Sequence, residues 1–404
     1  MEFNPLSPES RANPYPGYTM LRREAPVHEL ESFGVYALSR QADILHALKH
    51  PEIFSSSGMR ALMSGQTGMM GSSNPGRMGT LTEANSLISS DSTIHDRLRS
   101  VVNRGFTPRK IAELEPRIRK IAEEAVDSVA LQGEMDLVQD LSIPVPVTVI
   151  ADLLGVPRER LRDFKRWSDA IIRSSTGVAV NDNAEADGQA RDEFLDFFEQ
   201  AIAERRKNPG DDLISTLILA EDGEGTLSHG EVLSFTVLLL IAGNETTTNL
   251  LGNALLALTD NPKQLDRVYA DPSLIPKLVE EVVRYDSPVQ GIFRQTACES
   301  EIAGVTIPEG KLVMLLIGSG NRDEDWLPDA ATFDIARDPK AHLGFGFGTH
   351  FCLGVSLARL EAKVALETLF SRCANLRRTT DELEWIDSLI LRGPKSLPLR
   401  FDAS

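Results

Sequence analysis

One stretch of this sequence is arranged around a single reactive side chain. Phe345-Gly346-Phe347-Gly348-Thr349-His350-Phe351-Cys352-Leu353-Gly354 sets Cys352 among glycines at 344, 346, 348 and 354, with aromatic residues between them. Glycines at that density let backbone approach something bulky and flat. Helical spacing starts at the cysteine, which predicts Cys352 at a helix N-terminus, where free N–H groups favour a thiolate. A lone thiolate ringed by backbone donors suits an axial ligand to haem iron. The competing reading is an inert cysteine beside a glycine turn, and it accounts for neither the aromatic residues nor His350.

A second stretch, Ala242-Gly243-Asn244-Glu245-Thr246, lies inside the most apolar helical run. Glycine costs about 1 kcal/mol relative to alanine in a helix interior. Glu245 is expensive to bury without a partner. A helix that accepts both has a local purpose. Thr246 follows Ala242 by four residues, so its hydroxyl is expected to take that carbonyl and bend the helix. The opening would admit dioxygen and water, and Glu245 with Thr246 would pass protons to reduced oxygen. A plain helix exit, with residues 244–249 facing water, is the alternative. The apolar face resumes at Leu250-Leu251 and speaks against it. Thr247 and Thr248 carry no role that their spacing defines.

The elements that must position these groups are mostly helices. Apolar periodicity predicts helices over about 95–106, 108–114, 116–131, 146–154, 158–174, 186–207, 211–221, 229–260, 262–270, 273–285 and 353–373. Pro108, Pro116 and Pro262 mark first turns. Strand-like stretches are few: 34–38, then 300–306 and 311–317 around a turn at Pro308-Glu309-Gly310. The expected fold is mainly α with a minor β-sheet region, one domain over 1–404. Residues 55–92 break the pattern with many glycines and serines and with Met59, Met63, Met69, Met70 and Met78. Methionine packs adaptably, so this segment reads as a flexible wall over a ligand, with a disordered surface loop as the alternative.

Composition narrows the function classes. The net charge is −17, which disfavours general binding to nucleic acid or anionic membrane. Three cysteines without a CxxC spacing argue against a disulfide framework or zinc cluster and fit a reducing cytoplasm. The first residues lack a basic and an apolar region, so no signal peptide is expected. The run 232–243 falls short of the ~20 apolar residues of a membrane span. Against the acidic total, residues 95–120 hold eight bases and three acids. That window reads as a docking face for an acidic electron donor, with an ordinary solvated helix face as the alternative.

The cysteine stretch resembles the haem-binding loop of the cytochrome P-450 superfamily, Phe-x-x-Gly-x-x-x-Cys-x-Gly, at Phe345, Gly348, Cys352 and Gly354. Ala242 to Thr246 is similar to the same family's oxygen-activating pattern, and the soluble bacterial branch fits best. The resemblance implies a cytochrome P-450 fold enclosing haem b, with Cys352 on the iron. It implies a monooxygenase that places one atom of dioxygen into a hydrophobic fatty acid, terpenoid, steroid or polyketide. Electrons would come from NAD(P)H through a ferredoxin and ferredoxin reductase, and the protein would be a monomer. Cofactor contacts would include Ala242, Gly243, Phe345, Gly346 and Gly354. His95, Arg99, Arg294 and His350 would hold the haem propionates, with His342 a further candidate. Glu281, Arg284 and Arg337 match a structural network. Substrate contacts would fall at Met69, Met70, Ile172, Phe235, Leu238, Leu239, Val289, Ile292, Leu389 and Ile390. Two other readings remain open: a peroxygenase using hydrogen peroxide, which needs the Glu245–Thr246 relay less, and a haem-based sensor that oxidises nothing.

Overall fold

The computed structural model describes residues 3–63, 84–176, 184–219, 227–338 and 341–403. Helices dominate and a small sheet region accompanies them, as the spacing predicts. At the centre runs the helix His229–Asp260, 32 residues long. It begins with a capping box. Ser228 Oγ accepts from the Glu231 N–H at 3.2 Å, and Glu231 accepts from the Ser228 N–H at 2.9 Å. The helix is buried on nearly every face, which its nearly continuous apolar sequence requires. The helices Pro144–Leu153, Ile275–Tyr285 and Val355–Arg372 pack around it. The last of these packs in turn on Glu115–Ala130.

Among the described residues, ten strands form three sheets. Strands β1 (Val27–Leu30), β2 (Val35–Leu38), β3 (Phe54–Ser55), β5 (Ile292–Thr296) and β8 (Leu312–Leu315) make a sheet of order β1-β2-β8-β5-β3. Only β2 and β8 pair in parallel. Strands β4 (Glu134–Asp136), β9 (Cys373–Arg378) and β10 (Pro398–Ala403) form a second sheet, and β6 (Ser300–Ile302) with β7 (Val305–Ile307) a hairpin. Strand β5 matters most for the site. Its two-residue period turns Ile292 and Arg294 to the central cavity and Phe293 into the core behind. The helix Ser57–Met63 lies directly on this strand. A Cβ at Gly58 would stand 2.3 Å from the Arg294 carbonyl carbon, so no larger residue fits there.

Several expectations change. The segment expected as one loop from 55 opens with the helix Ser57–Met63; Met69 and Met70 lie outside the described residues. The helix after the cysteine starts at Val355, with Gly354 as its cap. Strands β1, β3, β4, β5, β9 and β10 were not legible, most of them because partners distant in sequence supply their pairing, and 300–306, expected as one strand, is the hairpin β6–β7. The long helix runs without a break in assignment through Ala242–Thr246. The anticipated hydrogen bond is present: Thr246 Oγ1 donates to the Ala242 carbonyl at 2.6 Å.

Candidate active site

A cavity of about 280 Å3 lies between the long helix and the cysteine loop, and carbon dominates its walls. Cys352 is on one side. Gly346 and Gly348 hold φ of +74° and +72°, the left-handed region glycine enters without strain. These turns fold the loop back, so that the Cys352 N–H donates to the Phe345 carbonyl at 2.9 Å. The Cys352 sulfur accepts from the Gly354 N–H, and Arg99 and Arg359 act on it as positive charges. Burial outweighs these contributions and pushes the thiol up from its ordinary value. The Gly354 N–H and the two arginines favour the thiolate, as the sequence leads one to expect, and burial opposes them. A bound cation is needed to complete that stabilisation.

Basic side chains converge beside the cysteine. The His95 and His350 rings lie 4.3 Å apart, and Ser56 Oγ is 2.8 Å from His350 Nε2. Burial, followed by Arg294, His95 and Arg99, drives His350 down to about 3, with Asp91 as the one opposing charge. Arg294 is buried and pushed down to about 10; its guanidinium donates to the Phe293 carbonyl at 2.9 Å. His95 is 2% exposed, and its Nε2 has no hydrogen-bond partner. His342 is not part of this cluster. It sits 3.2 Å from Glu280, which Arg359 also holds, behind the Phe345 ring.

The opposite wall is the long helix. Ala242, Gly243, Thr246 and Thr247 line the cavity. Gly243 also serves packing, since a Cβ there would lie 2.7 Å from Ile150 Cδ1. Glu245 is off the wall, beside Asp169 and Lys165. Removal from water, reinforced by Asp169 and opposed by Lys165, raises its carboxyl to about 7.

The family model for cytochrome P450 matches residues 77–400. The chain belongs to the cytochrome P450 family. It is 39% identical over 393 residues to the vitamin D(3) 25-hydroxylase of Pseudonocardia autotrophica, covering 96% of this chain and 93% of that one. A solved cytochrome P450 from Chondromyces apiculatus superposes with a TM-score of 0.90 at 42% identity, covering 100% of this chain and 98% of that one. Another, from Bacillus megaterium in complex with corticosterone, gives 0.85 at 36%, covering 98% and 100%. This chain is thus a cytochrome P450 monooxygenase, and its family implies haem and dioxygen.

The residues fit a haem. A crowded positive cluster with an orphaned His95 Nε2 calls for anionic groups, and haem carries two propionates. A Cβ on Gly354 would meet nothing within 4 Å, which leaves the cavity open beside the cysteine. Arg99, Arg294, His350, Phe345, Gly346 and Cys352 all border that space.

A buried network stands behind the loop. Glu281 and Arg284 are both 0% exposed and paired bidentately at 2.7 and 2.8 Å. Glu281 also accepts from the Asp334 N–H, and Arg337 Nε lies 3.6 Å away. Arg284 donates further to the carbonyls of Asn321, Ala330 and Thr332.

Of the expected substrate contacts, Phe235, Leu238, Leu239, Val289 and Ile292 line the cavity. Ile172 falls in the helix Leu161–Thr176. Leu389 and Ile390 do not reach the wall. They pack with Phe293 and Met314 one layer behind, where the Ile390 carbonyl accepts from Gln290 N–H at 2.7 Å. Spacing missed Phe106, Leu87, Ile88 and Glu361 as cavity residues. Met59, of the methionine-rich segment, does line it. Glu361 is the most telling omission. It is 1% exposed, Thr247 is its partner, Oε1 has none, and burial raises it to about 8. Its position among Leu357, Ala362 and Val364 offers no sequence signal except a charge on an otherwise apolar helix face.

The basic window is also smaller than its composition suggests. Arg97 pairs with Glu231, Arg117 with Asp152, and Arg119 with Glu115 and Glu367. Arg109, paired with Glu113 at 3.2 Å on the surface, and Lys110 remain exposed on the helix Pro108–Ala112, which packs on the helix Val355–Arg372. Phe347 and Phe351 of the cysteine loop are 42% and 40% exposed, with Lys49 above the Phe347 ring.

Proposed function

We propose that this P450 oxygenates a bulky, hydrophobic small molecule, with steroids and secosteroids as the first class to test, using electrons from a small acidic ferredoxin-type protein supplied by NAD(P)H. The observation that carries this reading is a carbon-walled cavity bounded by Cys352 on one side and Thr246 on the other. Phe106 and Phe235 meet edge to face there, and Met59, Leu238 and Ile292 extend the wall. Apolar walls with few polar groups select by shape and by burial of carbon. A relative acting on vitamin D3 and a neighbour holding corticosterone support the class.

Haem b, when bound, supplies the reductive activation of dioxygen and the transfer of one oxygen atom to carbon. Cys352 would hold the iron through its sulfur and would supply electron density to it. His95, Arg99, Arg294 and His350 would hold the propionates. The apolar wall orients the substrate and excludes water. Thr246 holds a hydroxyl at the cavity, on the Ala242 carbonyl, and Glu245 holds a proton next to it in the helix. A carboxyl near 7 both gives and regains a proton at neutral pH. Glu281, Arg284 and Arg337 keep the cysteine loop in place. The exposed Phe347 and Phe351, with Lys49 over the Phe347 ring, and the exposed Arg109 and Lys110 are the groups on which an acidic donor docks.

The test has two stages. The reduced protein with carbon monoxide is expected to show the red-shifted thiolate band, and Cys352→Ala to lack it; a wild type without that band overturns the reading. Steroids and secosteroids are then titrated against the iron spin state and supplied with a ferredoxin system. A spin shift followed by a hydroxylated product supports the class. Response only to fatty acids or macrolides overturns that part.

A further inference from the structure

The long helix carries a buried polar seam on the face turned away from the cavity. Asn244 is 3% exposed, and its Nδ2 donates to Ser168 Oγ at 2.8 Å. Ser168 is fully buried on the helix Leu161–Thr176. One turn further along, Thr248 Oγ1 reaches Asn244 Oδ1 at 3.5 Å and donates to the Ser142 carbonyl at 3.0 Å. Residues four apart share a helix face, so Asn244 and Thr248 form one strip. Apolar side chains would fill this contact between helices. Directional bonds add what apolar packing lacks, a fixed register of one helix against the other.

That register matters because of the next residue on each helix. Ser168 is followed by Asp169, and Asn244 by Glu245. Asp169 is held by Lys165 at 3.0 Å from both carboxylate oxygens. We propose that Asn244 is a positioning residue for proton delivery: by bonding Ser168 it holds the Lys165–Asp169 pair beside Glu245. This rests on the reading of Glu245 and Thr246 as the relay. Among the described residues, Asp169 and Lys165 are the charged groups acting on Glu245. Asp169, the stronger of the two, raises its proton affinity. A shift of the helix Leu161–Thr176 breaks the Asn244–Ser168 bond, carries Asp169 away and admits water to Glu245. The proton is then given up to solvent.

The experiment is an infrared pH titration of the resting holoenzyme, without substrate or donor. The protonated-carboxyl band missing from Glu245→Gln identifies Glu245, and its midpoint is expected near 7. Asn244→Leu and the milder Ser168→Ala are expected to lower that midpoint by about one pH unit, tenfold in proton affinity. Both are expected to retain the carbon monoxide thiolate band, which shows an intact fold and haem. Asp169→Asn is expected to lower the midpoint in the wild-type background and to add little in Asn244→Leu. An unchanged midpoint in Ser168→Ala, or full additivity of Asp169→Asn with Asn244→Leu, overturns the inference. A Glu245→Gln spectrum that lacks no band near that midpoint overturns the relay reading beneath it.

Discussion

Glu281 and Glu361 are both removed from water, on two helices that pack against the same long helix, and they have opposite surroundings. Glu281 meets a bidentate arginine, a backbone N–H and a second arginine. Glu361 meets Thr247 and leaves one oxygen without a partner. A fully bonded acid locks chain segments together. A poorly bonded acid in a low dielectric keeps its proton instead. The Glu281–Arg284 pair ties the helix Ile275–Tyr285 to residues 321–334, whereas burial raises the Glu361 carboxyl, like that of Glu245, above the ordinary carboxylate range.

The largest effect is expected where the partnered acid loses its partner. Arg284→Ala leaves buried Glu281 without its bidentate partner, with only the Asp334 N–H and Arg337 at 3.6 Å beside it, and should destabilise the fold by about 3–5 kcal/mol. Denaturant unfolding and retained haem measure it. If Arg284→Ala is no more harmful than Glu361→Gln, the contrast between the two acids is void.

Next comes the relay. Thr246→Ala removes the hydroxyl on the Ala242 carbonyl and should cut product formed per NAD(P)H consumed by about tenfold or more, with haem content unchanged. Full coupling in that variant would place the proton route elsewhere, with Glu361 and Thr247 the remaining candidates on the wall.

Glu361 itself makes a prediction about pH. Its folded carboxyl is raised to about 8, above an ordinary value of 4.5, so the folded state holds the proton more tightly. The stability it contributes is whole below the unfolded value and declines as pH rises through the folded one, with a slope of up to ~1.4 kcal/mol per pH unit between them. Glu361→Gln should flatten that decline in a series of unfolding curves between the two values. An equal slope in wild type and variant would show that Glu361 is not protonated in the fold.

The smallest effect belongs to the surface. Arg109→Glu should slow ferredoxin-supported turnover roughly twofold to fivefold at low salt and blunt its salt dependence. Arg117→Glu, whose parent side chain is spent on Asp152, should act through stability instead. Identical salt profiles for the two variants would mean that the exposed part of the basic window is not a docking face.

How much was legible follows from where each signal resides. The glycine-framed cysteine and the Ala242–Thr246 stretch are local patterns, so the order of residues alone displayed them. The long helix was legible to its ends because its apolar periodicity is contiguous; its capping box came to light only in the structure. Leu389 and Ile390 were misplaced because an apolar residue near a pocket and one a layer behind it share the same local sequence. Arg97 and Arg119 read as free cations because their partners, Glu231 and Glu367, are far along the chain.

The sequence by itself determined the family, the mainly helical fold, and the residue types around Cys352 and Thr246, because these depend on identity and short spacing. Only the tertiary structure decided which acids stay charged-paired and which keep a proton, because that depends on water exclusion and on partners from distant segments. It also decided that the Cys352 thiol is disfavoured as a free thiolate, since burial outweighs the Gly354 N–H and two arginines. Proton affinity is a property of the surroundings, and surroundings exist only once the chain has folded.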